Sequence, residues 1–110
     1  MSGVNFNLDD DNNILSLNSP KNSVGGPYSV VYKDVEQRWA IVALDWDGEP
    51  NLGIRWFWGN GGNPFSSGNP TWLILPSPII NSILNGLPLD FKFRKLIESF
   101  LNSETRGIDL

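Results

Sequence analysis

The chain has 110 residues and a formal net charge of −4 at pH 7, and it contains no histidine and no cysteine. Without these two residue types, serine–histidine triads, cysteine nucleophiles and the common zinc sites are excluded. Nucleic acid phosphates repel an acidic chain of this kind, so we expect no nucleic acid partner.

The composition predicts one domain over residues 1–110, since 40% of the residues are apolar and 18% are charged. No apolar run approaches the roughly 20 residues needed to span a bilayer. Residues 1–13 also lack the basic and apolar segments of a signal peptide. We therefore expect a cytoplasmic protein without membrane contact. Residues 104–110 are expected to form a loose tail.

The N-terminal quarter is interpreted as a hairpin followed by a loop. Residues 4–8 alternate apolar and polar side chains, as a half-buried strand does, and residues 14–17 form a second apolar run. The acidic residues 9–13 between them favour a turn, which predicts a β-hairpin. Residues 18–27 have the composition of a loop.

Four further segments are rich in β-branched and aromatic residues, and they predict strands over residues 28–35, 38–46, 52–58 and 71–75. The second of them is apolar on both faces, which is typical of a central, buried strand. Residues 47–51 (DGEPN) predict a turn after it. Residues 59–70 (GNGGNPFSSGNP) predict a long loop before the last strand.

The apolar residues then change to helical spacing. Ser77, as a side-chain cap, and Pro78 are typical of a helix start, and an isoleucine and leucine stripe continues to the stop signal at residues 85–86. Asp90 can cap a second helix that ends near residue 103. The pattern predicts an α+β fold: a mostly antiparallel sheet of five or six strands, with two C-terminal helices packed on one face.

Aromatic side chains are most concentrated in the last two predicted strands. Alternation along residues 52–58 places Trp56 and Trp58 on one face and Arg55 and Phe57 on the other. These residues supply a core. Alternatively, one face stays open beside Trp72 and forms a pocket wall or an interaction surface, where tryptophan and arginine are enriched.

Residues 59–70 have two interpretations, an ordered connection or a loop that covers a binding pocket. Phe65 at the centre is expected to pin the loop to the body of the domain. If the loop covers a pocket, the tryptophans of the flanking strands line it, and Arg55 or Asp45 orients a small-molecule ligand.

Asp45, Asp47 and Glu49 alternate at the end of the central strand. They are interpreted first as solvated turn formers, and otherwise as ligands of calcium or magnesium, or as an acid/base pair of aspartates. No metal and no cofactor is predicted. If the flanking strands pair across residues 47–51, Asp45 comes close to Arg55 and could form a cross-strand ion pair.

Two runs, LGIRWFWGNGGNP and PTWLILP, give residues 38–76 a resemblance to a group of known sequences. About a third of the chain resembles small bacterial proteins of uncharacterised function that are carried on mobile integron gene cassettes. The resemblance implies a compact α+β domain, a bacterial accessory role and a homodimer. It implies no catalytic or binding residue.

Two functions fit these observations. The first is a non-enzymatic bacterial accessory protein of the immunity, inhibitor or adaptor type, which binds a protein partner or a second copy of itself. Its acidic charge favours a basic partner. The alternative is a small-molecule-binding domain with an aromatic pocket under residues 59–70.

Overall fold

The computed structural model describes residues 6–58 and 61–110. Its elements in chain order are helix α1 (Asp11–Leu15), strands β1 (Val24–Asp34), β2 (Trp39–Trp46), β3 (Glu49–Trp56), β4 (Phe65–Ser66), β5 (Asn69–Pro70) and β6 (Leu73–Ile74), helices α2 (Ser77–Gly86) and α3 (Phe91–Leu101), and a 3-10 helix (Gly107–Asp109). Within these ranges, no helix is both long enough and apolar enough to cross a membrane.

Four of the strands form one antiparallel sheet in the order β1-β2-β3-β6, and β4 pairs with β5 in a separate hairpin. Residues 40–44 of β2 are all buried, because both faces of this strand are covered. This confirms the predicted central strand. The α+β fold, with an antiparallel sheet followed by two helices, is confirmed as well.

Helices α2 and α3 cover one side of the sheet, which we call the helix face. Ile80 and Leu84 of α2 are buried together with Ile97 and Phe100 of α3. Burial of each such side chain contributes roughly 1.5–3 kcal/mol to folding. The sheet residues in this cluster are Val31, Ile41, Ala43, Leu52 and Leu75.

The N-terminal segment covers the opposite side of the sheet. Leu8 and Ile14 are buried there against apolar side chains of β2. The ammonium of Lys33 donates a hydrogen bond to the carbonyl of Leu8 at 2.8 Å, and the guanidinium of Arg38 donates to the carbonyl of Phe6 at 2.7 Å. These bonds tie the segment to the sheet edge and to the turn beyond it.

The predicted N-terminal hairpin is wrong, because helix α1 occupies its second half. The carboxylate of Asp10 accepts the backbone N–H of Asn12 and so caps this helix. Aspartate and asparagine favour helix caps as strongly as turns, so the acidic run does not distinguish the two. Residues 4 and 5 of the predicted first strand lie outside the described residues. The predicted loop over 18–27 ends early, since β1 begins at Val24.

A two-residue turn at 47–48 joins β2 to β3. Its backbone φ angles are +51° and +85°, as a type I′ hairpin requires. Consequently Asp45 pairs with Pro50, and Arg55 pairs with Ala40 farther along the strands. The predicted Asp45–Arg55 ion pair is wrong, because it assumed a longer turn and therefore a different register.

The helix boundaries follow the sequence closely. Asp90 caps α3 by accepting the backbone N–H groups of Lys92 and Phe93, as predicted. Helix α2 ends at Gly86, but Ser77 is its first residue and not its cap. The cap position belongs to Pro76, which has no side-chain hydrogen bond to offer.

The expectation of a loose C-terminal tail is corrected by the 3-10 helix. Gly107 in this helix is buried, and its backbone lies against the ring of Tyr28. Leu110 packs against the cluster on the helix face. Apolar contacts therefore hold the last residues on the body of the domain.

Candidate functional site

Arg55 is completely buried, with 0% of its surface exposed. Its guanidinium donates hydrogen bonds to the backbone carbonyls of Gly61, Pro64 and Thr71, the last at 3.0 Å. Its Nε is also buried and has no acceptor among the described residues. Burial lowers the pKa of this guanidinium, although arginine stays charged near neutral pH. Arg55 therefore holds the chain between β3 and β6 in place and is not open to a ligand.

Phe57 and Trp72, which the alternative interpretation placed with Arg55 on an open face, are buried too, each 3% exposed. Phe57 stacks on Phe6 with ring centroids 4.8 Å apart. The indole N–H of Trp72 donates to the carbonyl of Leu17 at 2.7 Å. The face that carries these residues is a core because the N-terminal segment covers it, which strand alternation alone does not reveal.

The long loop predicted over residues 59–70 contains the β4–β5 hairpin. Ser67 and Gly68 form its turn with φ angles of +50° and +80°. Phe65 was predicted to pin this loop. The residue is 46% exposed, and its ring lies 5.4 Å from the guanidinium carbon of Arg55. The buried Arg55 provides the anchor. Residues 59 and 60 lie outside the described residues.

Two of the predicted binding residues, Trp56 and Trp58, remain accessible at one corner of the sheet. Trp58 is 54% exposed and Trp56 is half-buried, where β3 ends. Leu73 of β6, 51% exposed, pairs with Ile54 two positions before Trp56. We call Trp56, Trp58 and Leu73 the aromatic corner. Phe65 is not part of it, because its ring lies against Arg55, whose side chain leaves the sheet on the side opposite Trp56.

Asp45 lies elsewhere, where its carboxylate accepts a hydrogen bond of 2.6 Å from the hydroxyl of Tyr28. This bond, assisted by burial and by the charge of Asp45, raises the pKa of Tyr28 to about 12. The phenol is therefore a hydrogen-bond donor at every physiological pH. Sequence reasoning singled out Asp45 but missed Tyr28.

A bulge in β1 turns Tyr28 toward Asp45. Gly25 pairs with Asp45 and Ser29 with Ala43, so three residues of β1 stand opposite one residue of β2. A Cβ on Gly25 would lie only 3.0 Å from the Tyr28 hydroxyl, so glycine leaves the space that the tyrosine needs. The Gly-Gly-Pro run before Tyr28 is the sequence signal that could have predicted this bulge.

Tyr28 and Asp45 line a cavity of about 370 Å³ beside the 3-10 helix. A second cavity of about 390 Å³ lies between the start of β3 and helices α2 and α3, and Pro50 belongs to both. Neither cavity includes the tryptophans that line a pocket in the alternative interpretation of residues 59–70.

The three alternating carboxylates do not gather into a cluster. Asp45 bonds to Tyr28, while Glu49 begins β3 opposite Trp46. Over residues 6–58 and 61–110, no group of three acidic side chains is placed to hold a metal ion. The alternative of a calcium or magnesium site at Asp45, Asp47 and Glu49 therefore has no geometric support.

Comparisons with protein-family models, with curated proteins and with solved structures find no match to this chain. The resemblance to proteins of mobile gene cassettes stays a prediction. The geometry of the aromatic corner and of the Asp45 cavity is thus the basis for proposing a function.

Proposed function

We propose that the protein is a non-enzymatic accessory protein that binds a basic protein partner through the aromatic corner. The observation that carries this proposal is the exposure of Trp58 (54%) and Leu73 (51%), together with the half-buried Trp56, at one corner of a small domain. Large apolar side chains dominate the affinity of protein interfaces when a partner removes them from water.

The charge of the chain selects the kind of partner. Twelve acidic residues stand against eight basic ones, which gives the net charge of −4. Such a chain attracts a positively charged protein over long range and repels a second copy of itself. We therefore favour a basic partner over the homodimer, which is the competing outcome of the experiment below.

The test is capture of a partner from a lysate of the organism that encodes the chain, with two matched variants. Trp58→Ser/Leu73→Ser changes the aromatic corner. Phe91→Ser/Ile79→Ser removes two side chains that are 70% and 44% exposed outside it. The captured protein is then purified and titrated with all three forms by calorimetry.

We expect a basic protein that binds the wild type and the control double variant equally and the corner variant at least roughly tenfold more weakly. Its affinity should fall as salt is raised. An equal loss of affinity for the partner in both double variants would overturn the proposal. So would sedimentation data showing that the corner joins two copies of this chain.

A small-molecule function also has support in the structure, though not at the predicted place. Among residues 6–58 and 61–110, the aromatic pocket predicted under residues 59–70 gains no support, because Trp72 is buried and neither of the cavities described above includes a tryptophan. The cavity beside Asp45 is the better candidate for a ligand.

A further inference from the structure

We propose that the cavity beside Asp45 binds a small organic molecule through a protonated amine. The cavity measures about 370 Å³, within the range of small-molecule sites. Its walls combine one carboxylate with other polar side chains and with apolar ones, and it is separate from the aromatic corner. The proposal does not depend on the protein-binding function.

The carboxylate of Asp45 has one oxygen that can accept a hydrogen bond from a ligand. Its Oδ2 accepts the Tyr28 hydroxyl at 2.6 Å, while Oδ1 has no donor among the described residues. No ion pair formed within residues 6–58 and 61–110 involves Asp45. Asp45 is also only half-buried, so a ligand can reach it. A protonated amine would supply the missing donor and the missing charge.

The Tyr28 hydroxyl fixes the direction of this carboxylate. The tyrosine ring meets Phe100 edge-on at 5.9 Å and lies against the backbone of Gly107. Both contacts keep Tyr28, and therefore Asp45, in one position. A pre-oriented charge binds a ligand with a smaller loss of entropy than a mobile one.

The balance of charge around the cavity favours a cation. Arg106 also lines it, but its side chain is 75% exposed and its Nε lies 3.1 Å from a carboxylate oxygen of Asp109, which offsets its charge. Among the charged groups that line the cavity, the carboxylate of Asp45 is therefore the one without a counter-charge. An anionic ligand would meet this carboxylate without compensation.

The apolar walls select the rest of the ligand. Pro50 and Ile108 line the cavity above the buried ring of Phe100, and Ile108 is 71% exposed. An aromatic or branched aliphatic group would cover these side chains while the amine reaches Asp45. The geometry points to an amine with a compact apolar body as the chemical class.

The experiment compares three probes of similar shape by NMR of the nitrogen-labelled protein. Phenethylamine carries the cation, 2-phenylethanol is its neutral counterpart, and 3-phenylpropionate is the anion. We expect saturable shifts of the amides of Tyr28, Asp45 and Gly107 with the amine. The affinity for the alcohol should be at least roughly tenfold lower than for the amine, and the anion should not bind.

Two matched variants locate the binding. Asp45→Asn removes the charge but keeps an oxygen that can accept the Tyr28 hydroxyl, and it should weaken amine binding roughly tenfold. Glu49→Gln removes the same charge at the neighbouring cavity, where Glu49 is exposed, and should leave affinity within about twofold. Thermal unfolding checks that both variants fold.

Several results would overturn the proposal. One is the absence of saturable shifts with phenethylamine, and another is equal binding of the alcohol or the anion. Both are measured on the wild-type protein, so they hold even if Asp45→Asn does not fold. An equal loss of amine affinity in Asp45→Asn and Glu49→Gln would show that the amine is attracted by the overall negative charge and not by a site at Asp45.

Discussion

Arg55 is a buried cation whose partners are backbone carbonyls and not a carboxylate. Its guanidinium bonds Gly61, Pro64 and Thr71, which come from both ends of the β4–β5 hairpin. Arginine suits this role because its planar group carries five donors in a fixed arrangement. The rings of Phe57 and Phe65, at 5.5 Å and 5.4 Å, provide further contact with the cation.

We predict that Arg55→Met lowers the free energy of unfolding by roughly 2–4 kcal/mol, because three carbonyls lose a charged donor. Urea denaturation measures the change. Arg106→Met is the matched control, since that side chain is 75% exposed and should cost less than about 0.5 kcal/mol. A loss below about 1 kcal/mol for Arg55→Met would contradict the anchoring role.

Tyr28 provides a prediction about pH. Its pKa is raised to about 12 in the folded protein from an ordinary value near 10, so folding favours the neutral phenol. The stability from its hydrogen bond is complete below pH 10 and is lost as the pH rises from 10 to 12.

The absorbance of tyrosinate, measured against pH in the Tyr32→Phe variant, tests the raised pKa of Tyr28. The chain has two tyrosines, so in this variant Tyr28 is the only one that can titrate. We expect titration near pH 12, and Asp45→Asn should move it toward 10. Titration of the Tyr32→Phe protein near pH 10 would show that the phenol does not donate to Asp45.

At the scale of elements, the C-terminal 3-10 helix is held by the fit between one glycine and one ring. The backbone of Gly107 lies so close to Tyr28 that a Cβ there would overlap the ring. This contact closes one wall of the Asp45 cavity and links the end of the chain to β1. The element depends on tertiary contact, since three residues cannot form a stable helix alone.

We predict that Gly107→Ala destabilises the protein by roughly 1–3 kcal/mol, because the methyl group must displace the Tyr28 ring. Gly86→Ala is the control. No atom lies within 4 Å of a Cβ at that helical position, so alanine should be neutral or stabilising by up to about 1 kcal/mol. Thermal unfolding of the two variants gives the comparison, and equal melting temperatures would contradict the fit.

At the scale of the whole molecule, one sheet joins two apolar clusters. The helix face carries one, and the other lies under the N-terminal segment. Since β2 contributes Ile41 and Ala43 to the first and Val42 and Leu44 to the second, neither side can open without disturbing the shared strand.

We therefore predict a single cooperative transition. Leu84→Ala on the helix face should cost about 2–5 kcal/mol, and Val42→Ala on the opposite side should cost less, because it deletes fewer buried atoms. For each variant, the urea midpoint measured by far-ultraviolet circular dichroism should equal the midpoint measured by tryptophan fluorescence. Separate midpoints for the two signals would show that the sides unfold independently.

The sequence by itself determined the elements whose signals are local. The apolar run of β2, the Asp90 cap and the change to helical spacing after Pro76 predicted the central strand and the two helices. Most of the aromatic side chains around Arg55 were also predicted to supply a core. Trp58, Phe65 and Asp45 were named as candidate binding residues from their residue types, although Phe65 was expected to pin its loop to the domain.

Tertiary structure alone decided which of those candidates are open. The N-terminal segment covers Phe57 and Trp72, and this contact joins residues far apart in the chain. The type I′ turn at 47–48 set the strand register and separated Asp45 from Arg55. The bulge at Tyr28 and the buried Gly107 then placed Asp45 at the wall of a cavity. The spacing of apolar residues and the local composition depend only on neighbours in the sequence. Burial and strand register depend on contacts between segments that are far apart in the chain.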